Sequence, residues 1–338
     1  MNSLFKYLVK IGGILLVAGL IIAAIGFAAS GFDLSKLDNR EYESHTVNFT
    51  DESAINKIVL DTDTSDVRVT FSDVAEKISV SYTICKNKKS GEAITSVEEN
   101  ITATCFTLIE KSLWKNNINI FGFTNGQIDI TIPKSRTIEF DLNLRTCDAT
   151  IKGMSIENPI KITTSTGDIT IESSKASSIN VETTTGDIKI SNTECNTVNA
   201  TAKTGDITIK NTVCTGEIEA NTSTGRLTLR DVEATSLSRV ANTGATKLIG
   251  SVKISTINCK VTTGDVNGKD CVLEANDIKI NTSTGDITLS LAGKYSDYGV
   301  SINISTGNSN TKNQHRGDDM GMIEITSSTG DARLYFSK

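Results

Sequence analysis

Residues Thr163–Ile171 read TTSTGDITI, and the chain repeats the phrase as TTTGDIKI (Thr183–Ile190), AKTGDITI (Ala202–Ile209) and TSTGDITL (Thr282–Leu289). Taking the glycine as a marker gives Gly167, Gly186, Gly205, Gly225, Gly244, Gly264, Gly285, Gly307 and Gly330, at spacings of 19 to 23 residues. A fixed period near 20 is the signature of a repeat architecture. Seven positions before each marker stand Ile160, Ile179, Val198, Ile218, Leu237, Ile257, Ile278, Val300 and Ile323, and the position between that column and the next apolar one is always polar. After the marker the alternation resumes, as in Ile169/Ile171 and Ile188/Ile190. Alternation of this kind describes a strand with one buried face. A unit of strand, tight corner, strand and return loop cannot bury that face alone. Stacked units can, pairing like strands in parallel. The expected fold is all-β, a parallel β-solenoid with coils of about 20 residues, wound right-handed.

The corner letters fit this scheme. Glycine admits backbone angles that a Cβ resists. Thr precedes it in all nine units, and its parity predicts an inward hydroxyl ladder. Asp follows in six units, as Asp168, Asp187, Asp206, Asp265, Asp286 and Asp331, where a short carboxylate can accept hydrogen bonds from local amides. The same register extends upstream to Ser65 in INKIVLDTDTSDVRVTF and to Cys147 in EFDLNLRTCDATI. Between these lies a less regular block, with strand-like ISVSYTI, ITATCFTLIE, NINIFGF and QIDITIP. It is expected to form hairpins that cap the rod.

Composition agrees. The 338 residues include 10 Phe, 6 Tyr and 1 Trp against 38% hydrophobic residues, which suits narrow layers of branched aliphatics. The net charge of −6 argues against a nucleic-acid partner. At the N-terminus, residues 11–29 are uncharged and nearly all apolar, about 28 Å as a helix, with Lys6 and Lys10 before them. The length favours a membrane anchor over a cleaved signal peptide, and the lysines favour an extracytoplasmic remainder. The expected organisation is a cytoplasmic end and transmembrane anchor over 1–30, a linker over 31–46, a less regular β region over 47–139 and solenoid repeats over 140–338.

These features together resemble a bacterial family of adhesin-type, β-strand-repeat domains of unknown function that includes LiaG-like envelope proteins. The matching stretches are the N-terminal anchor, INKIVLDTDTSDVRV, QIDITIPKS and the serial TGDI units, covering roughly residues 47–338. The resemblance implies a cell-envelope location and a role in adhesion or envelope stress, with no catalytic residues to carry over. The chain departs from the pattern at Arg226, Ala245 and Asn308, where the Asp after the glycine is missing.

Candidate sites are few. Asp168, Asp187 and Asp206 should stack at strand spacing and are the candidate metal ligands, though a turn role explains them fully. Cys195 and Cys214 occupy equivalent positions and should be neighbours, as buried thiols or a disulfide. Arg316-Gly317-Asp318 spells RGD in a polar loop, a weak motif. No catalytic residue and no cofactor is expected. The reading that follows is a membrane-anchored, extracytoplasmic, non-enzymatic rod. It would contact the lipid bilayer through residues 11–29 and a cell-wall polymer or envelope protein through its faces. The alternatives are a scaffold or signalling component of an envelope-stress response and, behind both, a polysaccharide-active β-helix enzyme.

Overall fold

A computed structural model describes residues 39–49, 53–113, 126–155, 158–317 and 320–337, with positions 19, 21, 22, 25 and 28. The anchor expected over 11–29 lies, but for isolated positions, outside the described residues, as do NINIFGF and Asp318. Among the described residues no helix is long and apolar enough to cross a membrane.

The chain is a parallel β-solenoid, with like strands of successive coils stacked in register. Asn158–Thr166 pairs with Lys175–Thr185 on one side and Glu139–Thr146 on the other. The same pairing continues coil by coil to Asp277–Thr284. The columns seven and five residues before each glycine point inward as the alternation requires. Ile160, Ile179, Ile218 and Ile162 are fully buried, and the layer behind the corner is equally closed by Ile169, Ile188, Ile207 and Leu227. Each buried isoleucine contributes about 1.5–3 kcal/mol, and in-register stacking removes them all from water with little aromatic bulk.

Each corner glycine has φ between +140° and +154°. A Cβ there would also overlap the carbonyl oxygen of the stacked coil, Gly167 O in the case of Gly186 and Gly186 O in the case of Gly205. The glycine column thus serves backbone conformation and backbone approach together. Its N–H groups extend the ladder, Gly167 donating to Thr185 O at 2.9 Å and Gly186 to Thr204 O at 3.0 Å.

Several expectations are corrected. The threonine directly before the glycine is exposed, not inward: Thr166, Thr185, Thr204 and their successors face solvent. The chain bends before the glycine, so two consecutive residues face out and parity fails there. The buried threonines stand two residues earlier. Thr183 Oγ1 donates to Gly167 O at 3.1 Å, and Thr164 Oγ1 to Cys147 O at 3.3 Å. What was expected to be a return loop is a second corner, left-handed at Gly153, Ser173, Asn192, Asn211, Asp231 and Gly250. Strands run through it unbroken, as in Ile188–Thr204. Part of the expected linker is also a strand, Arg40–Thr46, antiparallel to Ser79–Asn87.

Coil order at both ends departs from chain order. Lys57–Thr62 lies between Cys105–Ser112 and Glu139–Thr146, and Ser65–Ser72 between Gly126–Pro133 and Ala149–Lys152. Half of the block expected as hairpins is therefore a solenoid coil, the outermost at that end. Thr95–Ile101 with Cys105–Ser112 forms a hairpin, and Ser79–Asn87 runs antiparallel to Gly126–Pro133 and turns back on itself through the Lys86–Ala93 bridge. At the other end Gly321–Thr329 inserts between Asp277–Thr284 and Tyr298–Thr306. Repeated columns accept either neighbour. The choice is fixed by Phe336, whose ring meets Tyr298 and Tyr295 at centroid separations of 5.9 and 5.6 Å. It is fixed as well by the polar loop, which seals the last edge: Val300 and Gln314 exchange backbone hydrogen bonds, and Asn313 Oδ1 accepts from Ile302 N at 2.8 Å.

Candidate functional site

The outward face of the strands before the corner is the broadest regular surface. Residue register places Thr146, Thr166, Thr185, Thr204, Thr224, Thr243, Thr263, Thr284, Thr329 and Thr306 in one exposed column. Beside it runs a second exposed column that includes Ser165, Thr184, Ser223, Asn242, Thr262 and Ser283, interrupted by Arg145 and Lys203. In-register parallel strands repeat these groups about every 4.8 Å. The result is a flat lattice of hydroxyls and amides that can hydrogen-bond to an extended partner.

The corner carboxylates form a ladder. Oδ1 of Asp168 accepts from Asp187 N at 2.7 Å, Oδ1 of Asp187 from Asp206 N at 2.9 Å, and Oδ1 of Asp206 from Arg226 N at 2.7 Å. The structure brings the three candidate metal ligands into one column as expected, but commits one oxygen of each to the neighbouring coil's amide. Lys189 Nζ sits 3.5 Å from Asp168 and 3.9 Å from Asp187. No group of three potential metal-binding side chains converges among the described residues. The ladder breaks mid-rod, where Arg226 and Ala245 replace Asp, and resumes with Asp286 N donating to Asp265 Oδ1 at 2.8 Å.

Cys195 and Cys214 are register partners, both buried and both reduced. The Cys214 neighbour and burial hold the Cys195 thiol well above the usual range, while Cys195 lowers Cys214, whose S–H donates to Asn196 O at 3.1 Å. Cys147, Cys259 and Cys271 are thiols pushed up to about 11 by burial.

Two buried charges escaped the sequence reading. Glu110 is fully buried, and its carboxylate accepts from Asp63 N and Thr64 N at 2.9 Å, Ser65 N at 3.3 Å and Thr64 Oγ1 at 2.9 Å. It supplies the acceptors that a stacked coil provides elsewhere. Arg239 points into the core beside Ala220 and Cys259, bonded only to neutral oxygens: Ala220 O at 3.2 Å, and Thr222 Oγ1 and Gly225 O at 3.0 Å. Desolvation lowers its pKa to about 10. Its parity marks it as inward, and that signal was in the sequence; no spacing announced Glu110.

An open cleft of about 540 Å³ beside the second corner is lined by Lys134, Lys152, Lys175, Ser155, Ser173 and Asn192, among others. Each lysine meets a carboxylate: Asp73, Glu172 and Glu194 respectively. Of the RGD triplet, Arg316 pairs with Asp277 at 3.5 Å and donates Nε to Met320 O at 3.0 Å, which ties the arginine back onto the rod.

A family profile described as Toastrack DUF4097 matches residues 55–238 and again 194–336. No curated protein matches the chain. Among solved structures it is similar to a "putative adhesin" of Bacteroides fragilis, at 13% identity over 87% of this chain and 97% of that one, with a TM-score of 0.35. A "putative lipid binding protein" of Parabacteroides distasonis shows 14% identity over 88% and 97%, with a TM-score of 0.31. A "putative cell adhesion protein" of Clostridium sporogenes shows 8% over 88% and 100%, with a TM-score of 0.23.

Proposed function

The chain belongs to the Toastrack DUF4097 family, and from that premise we propose that it is a membrane-anchored extracytoplasmic rod. In this reading it is non-enzymatic, and its flat faces bind an envelope polymer or envelope protein. The observation that carries the reading is the exposed threonine column, in register along the stack, with a second, mainly Ser, Thr and Asn column beside it that Arg145 and Lys203 interrupt. Such a surface offers many weak, evenly spaced hydrogen bonds and suits an extended ligand, whose affinity accumulates along its length. Residues 11–29 supply the tether and Lys6 and Lys10 its orientation. The test is cosedimentation of the full chain, in mild detergent, with purified cell-wall material. Saturable binding that falls when three consecutive column threonines, Thr185, Thr204 and Thr224, become Glu supports the reading. A chain that stays in the supernatant refutes it.

A further inference from the structure

Most cations on the rod stand opposite a carboxylate in the neighbouring coil. Lys175 meets Glu194 at 2.6 Å, Lys161 Asp141 at 3.1 Å, Lys152 Glu172 at 3.3 Å and Lys279 Glu324 at 3.0 Å. The strip between the two corners in the middle of the rod breaks this rule. Lys210 and Arg230 are register partners, like charge against like charge. Lys247 stands beside them, in register with Thr228. Arg226 occupies the corner position that belongs to Asp in the preceding coil, with its N–H on Asp206. Lys269 follows one coil on. All five are exposed, and none of their side chains makes an ion pair or hydrogen bond among the described residues.

Opposed like charges on adjacent strands are unfavourable in the free protein. The substitution of Arg226 for the corner Asp and the loss of the next one at Ala245 fall in the same coils. From Lys210 to Lys269 the cations span three coil spacings, on the order of 14 Å. Asp206 and Asp265 border the strip at one corner, Asp231 and Asp270 at the other. Asp206 and Asp231 each give one oxygen to a backbone amide, of Arg226 and of Ser251 at 3.0 Å. A narrow basic strip with acidic borders admits a single extended chain along the axis. It repels a wide duplex or a planar anionic membrane, and it carries no aromatic ring for stacking a base. The net charge of −6 conceals it.

We propose that Lys210, Arg226, Arg230, Lys247 and Lys269 bind a linear polyanion, a polymer with regularly spaced phosphate or carboxylate groups. The proposal rests on the polymer-binding reading above and names its ligand class and site. Arginine forks and lysine point charges engage either group, and displaced counterions make the binding steeply salt-dependent.

The experiment uses the full chain in mild detergent with poly(glycerol phosphate), polygalacturonate, uncharged dextran, duplex DNA and anionic vesicles at two salt concentrations. Wild type is expected to bind at least one of the two linear polyanions and not dextran. The variant K210Q/R230Q/K247Q is expected to lose at least ten-fold in affinity with a shallower salt dependence, and the paired-lysine control K175Q/K279Q is expected to lose less than two-fold. Saturating polymer should raise the melting temperature of wild type and not of the triple variant, a readout that also confirms the variant is folded. Equal loss in the control, retained binding in the triple variant, or tighter binding to DNA or vesicles overturns the proposal. Wall binding by wild type that the triple variant keeps overturns this site alone. Failure of wild type on wall material, with polyanion binding still lost in the triple variant, overturns the envelope reading alone.

Discussion

Gly186→Ala tests the corner where backbone approach and backbone conformation coincide. The added Cβ would overlap the carbonyl oxygen of Gly167, and Asp168 N lies 3.2 Å away. Both are backbone atoms of the stacked coil, so no side chain can swing aside. The residue would also keep φ near +147°, which costs about 1–3 kcal/mol for a residue with a Cβ. Separating the two coils enough to relieve the overlap stretches three hydrogen bonds between them: Gly167 N to Thr185 O at 2.9 Å, Ile169 N to Asp187 O at 2.9 Å, and Asp187 N to Asp168 Oδ1 at 2.7 Å. At about 0.5–1.5 kcal/mol each, losing them adds up to about 1.5–4.5 kcal/mol. The expected loss is therefore about 2.5–7.5 kcal/mol. Gly91→Ala is the internal control, because Gly91 has φ of +68° and nothing within 4 Å of its would-be Cβ. It should cost only about 1 kcal/mol. Urea unfolding of both variants, compared by midpoint because a repeat array need not unfold in one step, measures the difference. Equal midpoints would show that the stacked carbonyl does not enforce glycine.

Other substitutions probe the remaining polar devices. Glu110→Ala strands the amides of Thr64 and Ser65, while Asp63 N keeps the backbone oxygen of residue 110 at 3.2 Å, and should cost about 2–5 kcal/mol; a loss under 1 kcal/mol in the same unfolding assay would remove Glu110 as the cap of that corner. Asp187→Asn keeps the acceptor oxygen for Asp206 N and should change stability by less than about 0.5 kcal/mol, equally with calcium and with chelator. Stability that depends on calcium in wild type and not in the variant would restore the metal reading. Arg239→Met removes a buried cation with no carboxylate partner and should be neutral or stabilising by about 1–3 kcal/mol. A loss above 2 kcal/mol in thermal melts would mean that the guanidinium has an anionic partner. A variant retaining only Cys195 and Cys214 should form one intramolecular disulfide under mild oxidation, read by mass spectrometry after thiol alkylation, and its absence would contradict their register.

Much of this fold was written as columns. The inward positions seven and five before each glycine could be read directly, because strand parity converts spacing into side. The same rule misplaced the threonine before the glycine, since parity holds only while the strand stays extended. The second corner was also legible in principle. Ser173, Asn192, Asn211, Asp231 and Gly250 stand six residues after their markers, and of these types Gly, Asn and Asp tolerate left-handed backbone best. Asn211 Nδ2 even bonds Asn192 Oδ1 at 2.9 Å, the kind of ladder that identical columns permit. The basic strip was hidden for a different reason. Net charge sums over all faces, whereas the strip depends on which cations have a carboxylate in the next coil, and only register decides that.

Coil order at the ends was illegible because repetition itself erases it. Thr284 can stack on Thr306 or Thr329 with the same columns aligned, so the repeat supplies no preference. What decides is aperiodic: the Phe336 cluster, Asn313 and Gln314 on the last edge, and a connection long enough to return. The order has a mechanical consequence. In a simply stacked solenoid the terminal coil has one neighbour and frays at the expense of a single interface. Here the strand of the last repeat before its corner, Gly321–Thr329, has two: Gly285 N donates to Thr329 O, and Gly330 N to Thr306 O, both at 3.0 Å. The carboxylate ladder passes through it as well, from Asp286 to Asp331 N and from Asp331 to Asn308 N, at 2.8 Å each. The coil left at the end of the stack, Tyr298–Thr306, is held by chain on both sides and so has no free end to peel. The permuted order therefore places the last repeat, Gly321–Thr329, between two strands rather than at the end of the stack. This protects an end whose repeated columns would otherwise invite pairing with another copy.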